Sequence, residues 1–229
     1  MPSITLTTTV TSILRQAGLN KLAFSLGGLE VTGAKLASVA DAISAGKIKC
    51  LTVTEFASQG KNELAAGMTV AARYEIKNNA MVFERESYGG AIGEDRTIVH
   101  EAVHAVFDLN AGPKGKQNLA VDDEAAAVLT EAFYIRLCGK PLGGFKMMAD
   151  GPQDQALRLV DEVLLETDNF VAKPGTYKFS FDQLKDLRAA VAKDWNFTKF
   201  VGSDGLKTDN RKLRYVYDGV PKCPGKACK

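Results

Sequence analysis

Histidine is nearly absent from this chain: two in 229 residues, beside one tryptophan and four cysteines. Four cysteines are too sparse to form a disulfide scaffold over this length. Cys50 (KIKCLTV) and Cys138 (YIRLCG) lie in apolar settings and read as buried thiols. Cys223 and Cys228 (KCPGKACK) are close enough to close a small loop in an oxidising compartment, but lack two further nearby ligands for a metal. No apolar run approaches the ~18–20 residues of a membrane-spanning helix, so no membrane partner is expected. The N-terminus, MPSITLTTTVTS, has no basic region followed by an apolar block, and so no recognisable secretory signal. Cytoplasmic residence is the default expectation; a chain exported without a recognisable signal, or a mature secreted chain, would read the same. Internal repeats and low-complexity segments are also missing.

What remains is ordinary globular composition, 45% apolar and 24% charged. One domain over residues 1–229 is expected, with 1–65 as a candidate N-terminal subdomain. The net charge is +2, which implies no particular partner. It is uneven: within 205–229, Lys207, Arg211, Lys212, Arg214, Lys222, Lys226 and Lys229 face only Asp209 and Asp218, an excess of +5. Most such basic tails are simply solvated, and nucleic acid is not the expected partner.

The first part of the chain reads as mixed. Residues 32–48 carry a helical apolar rhythm through Leu36, Val39 and Ile43, and IKCLTVTEF (48–56) is β-rich. TVAARYEI (69–76) and MVFERES (81–87) predict a hairpin turning at Asn78 and Asn79, after which YGGAIGED breaks the pattern. From residue 96 the chain turns helical, at roughly 96–109, 122–138, 153–167 and 181–195. Asp122 is the expected cap of the second of these, and Ser180 or Asp182 of the last. Strands followed by helices in this order predict an α+β fold.

Both histidines fall in TIVHEAVHAVFDLN (97–110), four positions apart, as His-Glu-x-x-His. On a helix that spacing puts His100 and His104 one turn apart on one face, where two imidazoles can converge on a metal ion. Glu101 projects near the same face and can take a proton from a metal-activated water. Thr97 and Asp108 share that side, while Val99, Ala102, Val103 and Val106 form an apolar stripe opposite.

A catalytic zinc site needs a third protein ligand. The extended pattern with a third histidine would require Gly and His where Phe107 and Asn110 stand, so a carboxylate is expected. AVDDEAAAVLTEAFYIRL (120–137) offers candidates. HEAVH followed by DEAAA resembles the zincin metallopeptidases of the gluzincin type, in which a glutamate on a second helix completes the site. The resemblance covers about residues 96–138. It implies a zincin-like α+β fold, with N-terminal strands and a hairpin preceding a helical half that carries the metal-binding helix.

Glu124 follows His104 by 20 positions, similar to the spacing in thermolysin-like members, and is the favoured ligand. Glu131, seven positions later on nearly the same face, is its rival, and could instead hydrogen-bond a ligand histidine. Asp122 and Asp123 read as capping residues; Asp108 is either a support to the site or a solvated or capping residue. NAGPKGKQN lets the chain reverse between the two helices, and Ala125, Ala126 and Ala127 permit close approach. Thermolysin-like enzymes have an acidic residue four positions after the ligand, where this chain has Val128, and a downstream histidine that this chain lacks.

The expectation is a Zn2+-dependent peptidase acting on a peptide or protein substrate, with His100, His104 and Glu124 as ligands and Glu101 as base. The oxyanion would need zinc and a tyrosine or arginine, with Tyr88, Tyr134, Tyr177, Tyr215 and Tyr217 open for that role. MVFERES could present an edge to an extended substrate. The alternative is a zinc-binding or peptidase-like interaction module that does not cleave. A di-iron bundle, which also uses Glu-x-x-His, would need a second copy of that motif.

Overall fold

The computed structural model describes residues 4–26, 28–58, 71–111, 116–140, 149–166, 177–194 and 212–215. The first element is a helix that sequence reading passed over, α1 (Ile4–Leu14), whose run of threonines and valine has weak helix propensity. Packing overrides propensity here: Leu6, Val10, Ile13 and Leu14 line one buried face. A 3₁₀ turn (Ala17–Lys21) leads to an antiparallel hairpin, β1 (Ala23–Leu26) and β2 (Leu29–Thr32). Helix α2 (Gly33–Ser44) starts where the Thr32 hydroxyl accepts a hydrogen bond from Lys35 N at 3.2 Å. Gly33 is required there, because a Cβ would lie 2.0 Å from the Leu19 carbonyl oxygen.

The β-rich run 48–56 is a strand only in its first half, β3 (Lys49–Thr52). It then turns into α3 (Val53–Ser58), because Thr52 and Glu55 form a reciprocal cap. Glu55 N donates to Thr52 Oγ1 at 3.2 Å, and Thr52 N donates to Glu55 Oε2 at 2.8 Å. The expected hairpin is present as β4 (Ala72–Glu75) and β5 (Ala80–Phe83), turning through Asn79 in the left-handed region at φ 46°. Because β3 pairs in parallel with β5, the strand order is β3-β5-β4. This corrects the expectation that MVFERES offers an edge: β5 is the central strand with all four residues buried, and among the described residues β3 and β4 are the edges.

The remaining long helices are α4 (Ile92–Ala111), α5 (Ala120–Leu137), α6 (Pro152–Glu166) and α7 (Phe181–Lys193), within a few residues of their predicted spans. Ser180 caps α7 through a capping box with Gln183. Asp122 does not cap α5. Strand β6 (Lys116–Leu119) runs straight into that helix, and Asp122 instead pairs with Arg188 of α7 at 3.2 Å.

Strands and helices are thus interleaved rather than segregated. Strand β7 (Tyr177–Lys178) returns to pair in parallel with β1, and β8 (Lys212–Tyr215) pairs antiparallel with β6. The class is mixed α+β.

One hydrophobic cluster runs from Leu6 to Val191, so residues 4–50 share the core of the later helices, while Leu51 and Phe56 pack with Ala80 and Val82 in a second, smaller cluster. Phe24 of β1 stacks on Phe133 of α5 with centroids 5.5 Å apart. Helix α5 is the central element: every residue from Ala120 to Ile135 is buried except Glu124. Cys50 is buried, which pushes its thiol up to about 12; Cys138 is half-buried and also raised by burial. Cys223 and Cys228 lie outside the described residues, as does all of the basic tail but the backbone of β8. Among the described residues, no helix is long and apolar enough to cross a membrane.

Candidate metal centre

Helix α4 is anchored at its start by acids of its first turn. Glu94 Oε2 accepts from Gly89 N at 2.8 Å and Asp95 Oδ1 accepts from Gly90 N at 2.7 Å. Both glycines have positive φ, 108° and 96°, which is why the YGG break precedes the helix. Asp95 Oδ2 also accepts from Tyr134 OH of α5 at 3.1 Å, which ties the two helices together. Ala102 and Ala105 on α4, and Ala125, Ala126 and Ala127 on α5, are fully buried.

One turn apart on α4, the His100 and His104 rings meet edge to face with centroids 5.2 Å apart. From α5, Glu124 reaches both. Its Oε1 lies 3.2 Å from His100 Nε2, and its Oε2 lies 3.7 Å from His104 Nε2. One ligand atom from each of the three residues falls within 4.8 Å of the others, the sole such group among the described residues. Ligands ~2.0–2.1 Å from a tetrahedral ion stand roughly 3.3 Å apart, so these spacings fit a small divalent cation.

The other ring nitrogens are held from behind. His100 Nδ1 lies 2.6 Å from Glu131 Oε1, and His104 Nδ1 lies 3.0 Å from Asp123 Oδ2. Carboxylate oxygens accept, so each Nδ1 carries the proton, and in the neutral imidazole each Nε2 then has its lone pair for a metal. This separates the two glutamates that sequence reading left as rivals: Glu124 faces both Nε2 atoms, and Glu131 supports His100. It also corrects Asp123, which is a histidine support and not a cap. At Val128, where the thermolysin-like pattern has an acid, Glu131 does that work from the next turn of the same face.

Glu101 is buried beside the triad, its Oε2 accepting from Tyr74 N of edge strand β4 at 2.7 Å. Burial raises its pKa, while His100 and His104 pull it back. Burial disfavours the imidazolium of each histidine, but Glu124 and Glu131 at His100, and Asp123 and Glu101 at His104, outweigh it and raise both pKa values. Burial likewise opposes the Glu124 carboxylate, yet His100 and His104 hold it down to about 2. The field of this cluster therefore favours positive charge at its centre, as a cation site requires.

Asp108, left between a supporting and a solvated role, is fully buried and accepts from Tyr74 OH at 2.7 Å. Tyr74 thus grips α4 twice, through its backbone at Glu101 and through its ring hydroxyl at Asp108. Of the five tyrosines weighed as oxyanion donors, the side chains of three are described. Tyr134 is hydrogen-bonded to Asp95. Tyr88 packs on Phe83 with centroids 5.3 Å apart, and Tyr177 on Phe133 at 5.7 Å. The Tyr215 side chain and Tyr217 lie outside the described residues.

Sequence reading missed Tyr74, whose main contact is through a backbone group that any residue would supply. It also missed Arg96. That residue had a legible signal: it stands four positions before His100, on the same stripe of α4. No family model, curated protein or solved structure matches the chain.

Proposed function

We propose that the protein is a zinc-dependent peptidase of zincin-like type, with His100, His104 and Glu124 as ligands and Glu101 as general base. The observation that carries this reading is the convergence of both Nε2 atoms on Glu124, at 3.2 and 3.7 Å, beside a buried carboxylate that is not needed as a ligand. Access supports it as well. Among the described residues, Glu124 is the one of Ala120–Ile135 that is not buried, with its side chain 29% exposed, which favours an open catalytic position over a closed structural site.

A zinc ion held by His100, His104 and Glu124 would supply Lewis-acid chemistry, lowering the pKa of a water and polarising the scissile carbonyl. Glu101 takes the proton from the attacking water and hands it to the leaving amine. The Tyr74 N–H fixes one Glu101 oxygen and leaves the other for that transfer. An extended peptide laid along edge strand β4 would pass beside Glu101, which favours a peptide substrate.

Metal analysis beside a Glu101→Gln variant on casein tests the reading. Wild type is expected to carry one zinc per chain and to cleave. E101Q should retain the zinc and lose roughly 10²–10⁴-fold in rate. Protein that purifies without metal from zinc-replete medium would overturn the reading. A zinc-loaded wild type as inert as E101Q on a broad panel of unfolded proteins would transfer it to a zinc-binding module that does not cleave.

A further inference from the structure

Arg96 has no part in the chemistry above, yet it stands directly behind the ligands. On α4 it lies one turn before His100, and its guanidinium NH1 is 2.8 Å from Glu131 Oε2. The other Glu131 oxygen is 2.6 Å from His100 Nδ1. Guanidinium, carboxylate and imidazole thus form a chain that ends at the His100 Nε2 lone pair. Val128, Ala132, Ile135 and Leu157, with Gln153, wall the cleft in which Arg96 and Glu131 meet, and the side chains of the pair are only 15% and 7% exposed. In such surroundings an ion pair is strong and weakly screened, whereas a carboxylate deprived of its counter-charge is costly and tends to reorient.

We infer that Arg96 is a positioning residue for the metal centre: by pinning Glu131 it fixes the ring plane of His100 and directs Nε2 at the metal. The inference rests on the metal-binding reading of His100, His104 and Glu124, and adds to it a residue two steps removed from the ion. Arginine presents a planar fork of permanent charge, of which NH1 is the nitrogen at ion-pair distance from Glu131. The contact also ties the carboxylate of α5 to the helix that bears the ring it orients, so α4 and α5 are held in register at the metal.

The test compares wild type, Arg96→Gln, Arg96→Lys, Glu131→Gln and the double variant R96Q/E131Q. Zinc affinity is read by competition with a chromophoric chelator, and ligand geometry by the visible spectrum of the cobalt(II)-loaded protein. E131Q is expected to weaken zinc about 10–100-fold, as loss of a direct histidine support does, and R96Q about tenfold. R96K, keeping the charge without the fork, should recover zinc affinity to within about threefold of wild type while its cobalt spectrum stays shifted. Because Arg96 acts through Glu131, R96Q should change zinc affinity by less than about twofold in the E131Q background.

R96Q with wild-type affinity and cobalt spectrum overturns the inference and leaves the metal reading standing. So does a double variant in which the two losses simply add. A wild type that binds neither zinc nor cobalt sinks both. Should R96Q lose its far-UV circular dichroism, the double variant R96M/E131Q removes the pair together. It is expected to bind zinc as E131Q does, and tenfold weaker binding than E131Q would overturn the inference.

Discussion

The N-terminal layer and the α4–α5 pair solve different problems with the same core. Across residues 4–58 the buried side chains are apolar save Thr11, whose hydroxyl donates back to Thr7 O of its own helix at 2.9 Å. Among the described residues, every buried carboxylate lies on α4 or α5: Asp95, Glu101 and Asp108 on one, Asp122, Asp123 and Glu131 on the other. Buried carboxylates contribute little to stability and much to specificity, and they persist only with partners. The partners are in place: Tyr134, Tyr74, Arg188, Arg96 and the two histidines. Both regions supply apolar side chains to the core, and the second also holds charges in fixed positions.

That division can be broken experimentally. The largest effect is expected for Leu36→Ala in the apolar layer. Leu36 is fully buried on α2, and its truncation should cost about 2–5 kcal/mol in chemical denaturation. Zinc affinity of the folded fraction should stay unchanged, and a parallel loss would show that the regions are not separable. Next comes Tyr74→Phe, which removes the hydroxyl that donates to buried Asp108 and should cost about 1–3 kcal/mol. The backbone bond to Glu101 survives this change, so full zinc content is expected by metal analysis. The smallest effect on stability, but the clearest on the ion, belongs to Asp123→Asn. It should weaken zinc by about 10–100-fold. An unaltered chelator-competition curve for D123N would falsify a supporting role for Asp123.

Legibility in the sequence followed the range of the interactions involved. Helices α4 to α7 and the β4–β5 hairpin were readable because periodicity, caps and a left-handed Asn79 are local signals. Helix α1 was not, since its threonines disfavour helix and only burial of Leu6 and Val10 against distant residues stabilises it. The central place of β5 depended on β3 arriving in parallel from beyond α3, a pairing with no local mark. Asp122 and Asp123 looked alike as first-turn acids. One meets Arg188 and the other His104, and both partners come from other helices.

His-Glu-x-x-His by itself determined that His100, Glu101 and His104 share one helical face, because a pitch of ~3.6 residues leaves no choice once the helix forms. The scarcity of histidine likewise led to the expectation of a carboxylate as third ligand. Which carboxylate was a tertiary decision. Glu124 and Glu131 lie on nearly the same face of α5, and only the crossing of α4 over α5 sets one against the Nε2 atoms and the other against Nδ1. Sequence spacing orders groups along one helix, whereas the packing of two helices fixes the distances on which coordination depends.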